Sequence, residues 1–195
     1  MMRIITGKAR GVRLATPEGE HTRPTAERTK EALFSMLQFE LMGTQVLDLF
    51  AGSGQLGLEA LSRGAKYAVL CDNNKTAAGI VHQNAIKTKL ALQCEVHCMD
   101  YAALLSRLRR KKSFDLVFLD PPYALGLVPK ALKLLVDYQL LSQNAKVICE
   151  TASEDDVFAG NEELKNTFDV IKVSRYGVAY VTVLQLRAGN KEDEQ

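Results

Sequence analysis

The chain predicts an α/β fold: a doubly wound, mostly parallel seven-stranded sheet with an antiparallel last strand, preceded by a small amino-terminal hairpin. Three observations lead there. From Thr44 onward, short and nearly unbroken apolar runs alternate with segments of helical spacing, the pattern of parallel strands covered on both faces. A glycine-rich turn closes the first apolar run and opens a helix. The last two apolar runs follow each other with no helix between them, which calls for a hairpin.

Each element follows in order. Residues 3–15 alternate weakly around Gly7 and Gly11 and read as a hairpin, followed by a turn-rich stretch over 16–20. Pro24 opens a helical pattern that carries Leu33, Phe34, Leu37 and Leu41 on one face and stops at Gly43. Strands are expected at 46–50, 67–71, 94–98, 116–119 and 146–149. Helices are expected between them at 56–63, 75–87, 102–110 and 128–137. The closing hairpin pairs 169–174 with 178–186 around Tyr176-Gly177. The expected layout is a basic hairpin extension over 1–22, a core domain over 23–188, and a frayed polar tail over 189–195.

With 195 residues, 47% hydrophobic and 25% charged, the chain fits one globular domain and excludes a disordered one. No apolar run has membrane-spanning length, and the start lacks a signal-peptide core, so a cytoplasmic protein without a membrane partner is expected. Cys71, Cys94, Cys98 and Cys149 lie in strand-like segments without a C-x-x-C pair. Alternation puts Cys94, Val96 and Cys98 on one face and His97 on the other, so buried reduced thiols are expected and no metal. The net charge is only +2, but the first thirty residues hold seven Lys and Arg against three Glu. This basic front is where a polyanion would be held.

Two motifs carry chemistry. Asp48-Leu49-Phe50-Ala51-Gly52-Ser53-Gly54-Gln55-Leu56-Gly57 spells G-x-G-x-x-G at a strand-to-helix turn, with Asp72 twenty residues after Gly52 at the end of the next strand. Glycine lets the backbone turn sharply and approach a ligand, and an acidic residue at the second strand end accepts from ribose hydroxyls. Both NAD and S-adenosylmethionine carry such a ribose, so this motif alone does not choose between them. Asp100, at the end of the third strand beside Tyr101, can accept from an adenine amine or cap a helix.

The second motif, Asp120-Pro121-Pro122-Tyr123, closes the fourth strand, where ligands bind in such sheets. The exocyclic amine of a base is a poor nucleophile because its lone pair is delocalised into the ring. Hydrogen bonds from the amine to the Asp120 carboxylate and the Pro121 carbonyl localise that pair, and the Tyr123 ring offers a face for an extruded base. The pattern points to methyl transfer onto a base amine without a metal.

These residues resemble the RsmD family of bacterial rRNA methyltransferases over nearly the whole chain. The likeness rests on Arg3-Ile4-Ile5-Thr6-Gly7 with Arg10-Gly11, and on Thr22-Arg23-Pro24-Thr25 followed by Arg28 and Glu31-Ala32-Leu33-Phe34. It rests also on the glycine loop running through residues 57–65, and on Asp120 to Tyr123. The resemblance implies a class I S-adenosylmethionine methyltransferase acting on the N2 amine of guanine 966 in 16S rRNA, within the assembled 30S subunit, and a monomer is expected. It places the cofactor on Asp48, Phe50, Ala51, Gly52, Ser53, Gly54, Gly57, Asp72, Asn73, Asp100 and Tyr101. Catalysis falls on Asp120, Pro121, Pro122 and Tyr123. The basic front of the chain, by its charge, assigns RNA binding to Arg3, Lys8, Arg10, Arg13, Arg23 and Arg28, and with them Thr25. The chain departs from the family at Asp72, where Glu is usual, at Gln55, and at Thr29-Lys30. The motifs leave two alternatives: the same chemistry on DNA adenine-N6, cytosine-N4 or 23S rRNA guanine, and an NAD-dependent oxidoreductase built on the glycine loop.

Overall fold

The computed structural model describes residues 2–17 and 24–187, without the side chains of residues 24–28. The expectations placed on Arg23, on the side chains of Thr25 and Arg28, and on the tail therefore lie outside the described residues. Seven strands, β1 (Gln45–Asp48), β2 (Tyr67–Asp72), β3 (Cys94–Cys98), β4 (Phe114–Leu119), β5 (Leu141–Thr151), β6 (Phe168–Tyr176) and β7 (Ala179–Leu186), form one sheet in the order β3-β2-β1-β4-β5-β7-β6. The pairs among β1 to β5 are parallel, and β7 runs antiparallel to both β5 and β6. The order reverses between β1 and β4, so their carboxyl ends open the crevice in which such sheets bind ligands.

The helices are α1 (Pro24–Met36), α2 (Gln55–Ser62), α3 (Lys75–Lys87), α4 (Tyr101–Leu108), α5 (Leu127–Asp137) and α6 (Glu162–Thr167). Strand alternation divides the core in two. On one face Val46, Phe118 and Ile148 pack with Leu33, Phe34 and Leu58. On the other, Leu47, Val117 and Val147 pack with Leu104, Leu132 and Leu135. The apolar strands are thus buried from both sides, as their composition requires.

Three local readings change. The first helix ends at Met36 rather than at Leu41, yet Leu37 and Leu41 stay buried because the chain turns over them through hydrogen bonds such as Glu40 N–H to the Leu37 carbonyl. β5 is longer than expected because its polar start, residues 141–144, has no apolar period. The short α6 was unreadable for a related reason: Leu164 is its one buried residue, and Asn161 caps it by accepting from Leu164 N–H. The cysteines are free, with Cys71 and Cys149 buried, but Cys98 is exposed, because β3 is the sheet edge and its last residue is uncovered.

The amino-terminal hairpin is built into this core. Arg3 bridges Arg13, Ile4 N–H donates to the Val12 carbonyl at 3.0 Å, and Ile4, Ala9 and Leu14 are buried in the first cluster. Glu59 on α2, 0% exposed, fastens it: its carboxylate accepts from Ile5 N–H at 2.7 Å and Thr6 N–H at 3.0 Å, and pairs with Arg63 at 2.7 Å. Lys30 of α1, one of the departures from the family, lies 3.7 Å from the same carboxylate and donates to the Arg3 carbonyl at 2.7 Å. The hairpin tip rests on the far end of α2, where Lys8 N–H donates to the Ser62 carbonyl at 2.8 Å.

Gly7 makes that contact possible. Its φ is +88°, and a Cβ there would lie 1.8 Å from the Ser62 carbonyl oxygen. Gly11 has a similar φ, +83°, but open space around it. Gly11→Ala should cost about 1–2 kcal/mol for the left-handed backbone alone, whereas Gly7→Ala must also lift the hairpin off α2 and cost clearly more. Urea unfolding of the two variants checks this; equal losses would mean that the Ser62 contact does not constrain the hairpin.

Candidate functional site

A cleft of about 1150 Å³ runs along the carboxyl ends of β1, β2, β3 and β4. Its walls include Phe50, Gly52, Asp72, Asn73, Asp100 and Tyr101, and the whole Asp120 to Tyr123 loop. The topology brings these together: each segment is what immediately follows, or ends, a parallel strand.

The glycine loop is held from beneath. Asp48, 1% exposed, accepts from Gly57 N–H at 2.9 Å. A Cβ on Gly57 would come within 2.8 Å of the Leu70 side chain, so this glycine permits close packing of α2 on β2. Gly52 and Gly54 take positive φ, 55° and 78°, which turns the chain into α2. Asp48, Ala51, Ser53, Gly54 and Gly57, all expected at the cofactor, therefore lie behind the cleft wall and shape it, while Phe50 and Gly52 form the wall. Burial pushes the Asp48 carboxyl up to about 7; the Gly57 hydrogen bond opposes this and the nearby Asp72 charge adds to it.

Asp72 does two things. Its Oδ2 accepts from Gly52 N–H at 2.9 Å and its Oδ1 from Asn74 N–H at 2.8 Å, so the carboxylate ties the end of β2 to the glycine loop while facing the cleft. Asp100 takes one of its two expected roles, since Oδ1 caps α4 by accepting from Ala102 and Ala103 N–H, and the residue also lines the cleft. The Phe50 and Tyr101 rings, 5.4 Å apart between centroids, form an aromatic corner beside it. Desolvation, with the Asp100 charge second, raises the Tyr101 hydroxyl above its ordinary value, so it stays a neutral donor.

At the end of β4 the Asp120-Pro121-Pro122-Tyr123 loop faces this cofactor-type wall across one continuous cleft. Tyr123 is 41% exposed, and its hydroxyl donates to Glu150 Oε1, at the end of β5, at 2.5 Å. Sequence reading missed Glu150, since nothing local marks a lone Glu in a strand. It also missed Thr16 and Pro17, which line the cleft because Asn84 of α3 holds Ala15 in place by two hydrogen bonds of 2.9 Å. Arg3, Lys8, Arg10 and Arg13 are all exposed. Arg3 and Arg13 sit at the open end of the hairpin, whereas Lys8 and Arg10 sit at its tip, by the far end of α2.

The family described as Conserved hypothetical protein 95 matches residues 2–185. The chain belongs to this family, that of the RsmD methyltransferases. It is 38% identical over 154 residues to the Ribosomal RNA small subunit methyltransferase D of Haemophilus influenzae, covering 78% of this chain and 80% of that one. To the protein of the same name from Escherichia coli K12 it is 37% identical over 155 residues, covering 79% and 76%. The solved structure of yhhF from Escherichia coli, provisionally described as a methyltransferase, superposes with a TM-score of 0.83 at 31% identity over 96% of this chain and 99% of that one. The family member described here is thus a methyltransferase of the expected seven-stranded fold. Among its described residues no helix is long and apolar enough to cross a membrane.

The Asp48 geometry has a pH signature. The folded state holds that proton more tightly than the unfolded chain, from 3.8 to about 7, so its stabilising contribution is full below the unfolded value and falls as pH rises toward 7. Asp48→Asn retains an acceptor for Gly57 N–H and cannot ionise. Urea unfolding of this variant should show a flatter loss of stability than wild type between about pH 4 and pH 7. Parallel curves would mean that Asp48 titrates normally.

Proposed function

We propose that the chain transfers a methyl group from S-adenosylmethionine to the N2 amine of a guanine in 16S rRNA, of the guanine-966 type, on the assembled 30S subunit. The observation that carries this reading is the single cleft shared by the Asp120 to Tyr123 loop and by the Asp72, Asp100 and Tyr101 wall. The names of the relatives support rRNA of the small subunit as substrate. The protein would act as a cytoplasmic monomer.

The cleft fits the cofactor. It has the size of a pocket for a nucleoside-sized ligand, with a carboxylate at Asp72 for ribose hydroxyls, a second at Asp100, and the Phe50–Tyr101 corner for an adenine face. S-adenosylmethionine supplies a methyl group on a positively charged sulfur. The protein's residues position the other reactant. Tyr123 stacks on the extruded base, and Asp120 with the Pro121 carbonyl accepts from its amine, drawing the lone pair onto nitrogen. Asp120 takes the proton that the amine releases. The rigid Pro121-Pro122 backbone keeps that carbonyl from turning away.

The basic hairpin holds the RNA. Lys8, Arg10 and Arg13 make no ion pair among the described residues, so they can bind phosphates. Arg3 and Arg13, at the end near the cleft, would grip the strand beside the target base, and Lys8 with Arg10 would extend the track along α2. Phosphate contacts give affinity without sequence information and weaken with salt.

Asp120→Ala should leave S-adenosylhomocysteine binding near wild type and lower single-turnover methylation of small subunits by roughly 10²-fold or more; a rate near wild type removes Asp120 from the chemistry. In thermal-shift measurements S-adenosylhomocysteine should raise Tm and NADH should not, which separates this reading from an oxidoreductase. Replacing Arg10 and Arg13 together by Glu should weaken subunit binding and flatten its salt dependence at unchanged Tm. A folded double variant that binds and methylates normally would make the hairpin a solvated arm.

A further inference from the structure

We propose that Glu150 accepts from the N1–H of the target guanine and so selects guanine over bases that lack a proton at that position. This rests on the guanine-N2 reading above and names the residue that makes the site a guanine site.

The register carries the argument. β4 and β5 pair Leu119 with Cys149 in parallel, so the next residues, Asp120 and Glu150, come out abreast at the carboxyl edge. Neighbours in register point to the same face, and adjacent strands are about 4.8 Å apart, a spacing that one edge of a purine spans. Glu150 is partly buried. Its Oε1 takes the Tyr123 hydroxyl, and its Oε2 has no hydrogen bond among the described residues. A second pocket, of about 250 Å³, opens on this side of the loop, walled by Pro121, Pro122, Tyr123, Glu150, Thr151 and Ala152. It shares Pro121, Pro122 and Tyr123 with the larger cleft, so a base that stacks on Tyr123 lies between the two.

The chemistry of the two carboxylates decides which base fits. An ionised carboxylate only accepts hydrogen bonds. Guanine presents a second donor, N1–H, directly beside its N2 amine. Adenine and cytosine present an acceptor beside theirs, N1 and N3 respectively, which would face Glu150 oxygen to lone pair. Asp120 addresses the amine that all three bases share, and Glu150 addresses the neighbouring atom at which they differ. The Tyr123 hydroxyl holds the carboxylate in place, so stacking platform and reading group are set by one hydrogen bond.

The test uses small subunits reconstituted with 16S rRNA that carries either guanine or 2-aminopurine at the methylated position. The analogue keeps the target amine but has a bare acceptor at N1. Wild type should prefer guanine in kcat/KM by roughly 100-fold or more, the scale of discrimination by a site built to receive a hydrogen bond. Glu150→Gln, whose amide can donate to the bare N1, should lose rate on guanine and narrow the preference at least about tenfold. Tyr123→Phe, which keeps the stacking ring but releases the carboxylate from its hydrogen bond, should narrow the ratio less than Glu150→Gln does; a purely structural Glu150 would leave the ratio unchanged in both variants. Wild type that uses both substrates equally overturns the proposal whether or not the variants fold. So does a Glu150→Gln protein with normal S-adenosylhomocysteine binding and an unchanged ratio. If wild type forms no N2-methylguanine in small subunits, the guanine-N2 reading itself falls; if it does, a preserved ratio removes only Glu150.

Discussion

The amino-terminal third of this protein depends on one buried carboxylate. Glu59 is fully removed from water, where an ion without partners would be strongly unfavourable. Its partners come from three separate parts of the chain: the backbone amides of Ile5 and Thr6, Lys30 of α1, and Arg63 one turn further along α2. Lys30 also donates to the Arg3 carbonyl, so the cluster ties hairpin and α1 to each other as well as to α2. The carboxylate therefore fixes how the hairpin and α1 lie on the sheet. The hairpin in turn delivers Thr16 and Pro17 to the cleft. A cleft-lining segment is thus positioned by an ion cluster outside the cleft lining.

The cleft itself is organised by aspartates at strand ends, and their environments give them different tasks. Asp48 sits beneath the loop, desolvated, and serves the backbone of Gly57. Asp72 spans the boundary, with both oxygens on backbone amides and one side toward the cleft. Asp100 caps α4 with one oxygen and presents the other at the rim. Asp120 lines the same cleft as Asp72 and Asp100. A parallel sheet makes this economy possible, because every strand ends on the same edge and each following loop contributes a residue there.

Charge is partitioned to match. The carboxylates gather at the strand ends, whereas the hairpin keeps its cations on its exposed surface. Under the proposed function, holding a polyanion on a separate, basic element would spare the acidic cleft from having to attract it, and leave the cleft to discriminate one base. The exposed Tyr123 ring lines the cleft, and its hydroxyl donates to Glu150.

The sequence by itself determined the order of elements, because a parallel sheet buried on both faces writes continuous apolar runs, and helices between them write a different period. It also marked Gly52 to Gly57 and Asp120 to Tyr123 as candidate site loops, because each is contiguous, and both reach one cleft. α6 and the polar start of β5 were illegible, because neither buries enough to leave a period. Only the tertiary structure decided which of the glycine-loop residues face the cleft and which support it from behind, a matter of which side of one turn is covered. It alone brought Glu150 beside Asp120, thirty residues away, and Glu59 beside Ile5. The physical reason is the same in both cases: register and packing join side chains whose neighbours in the chain say nothing about each other.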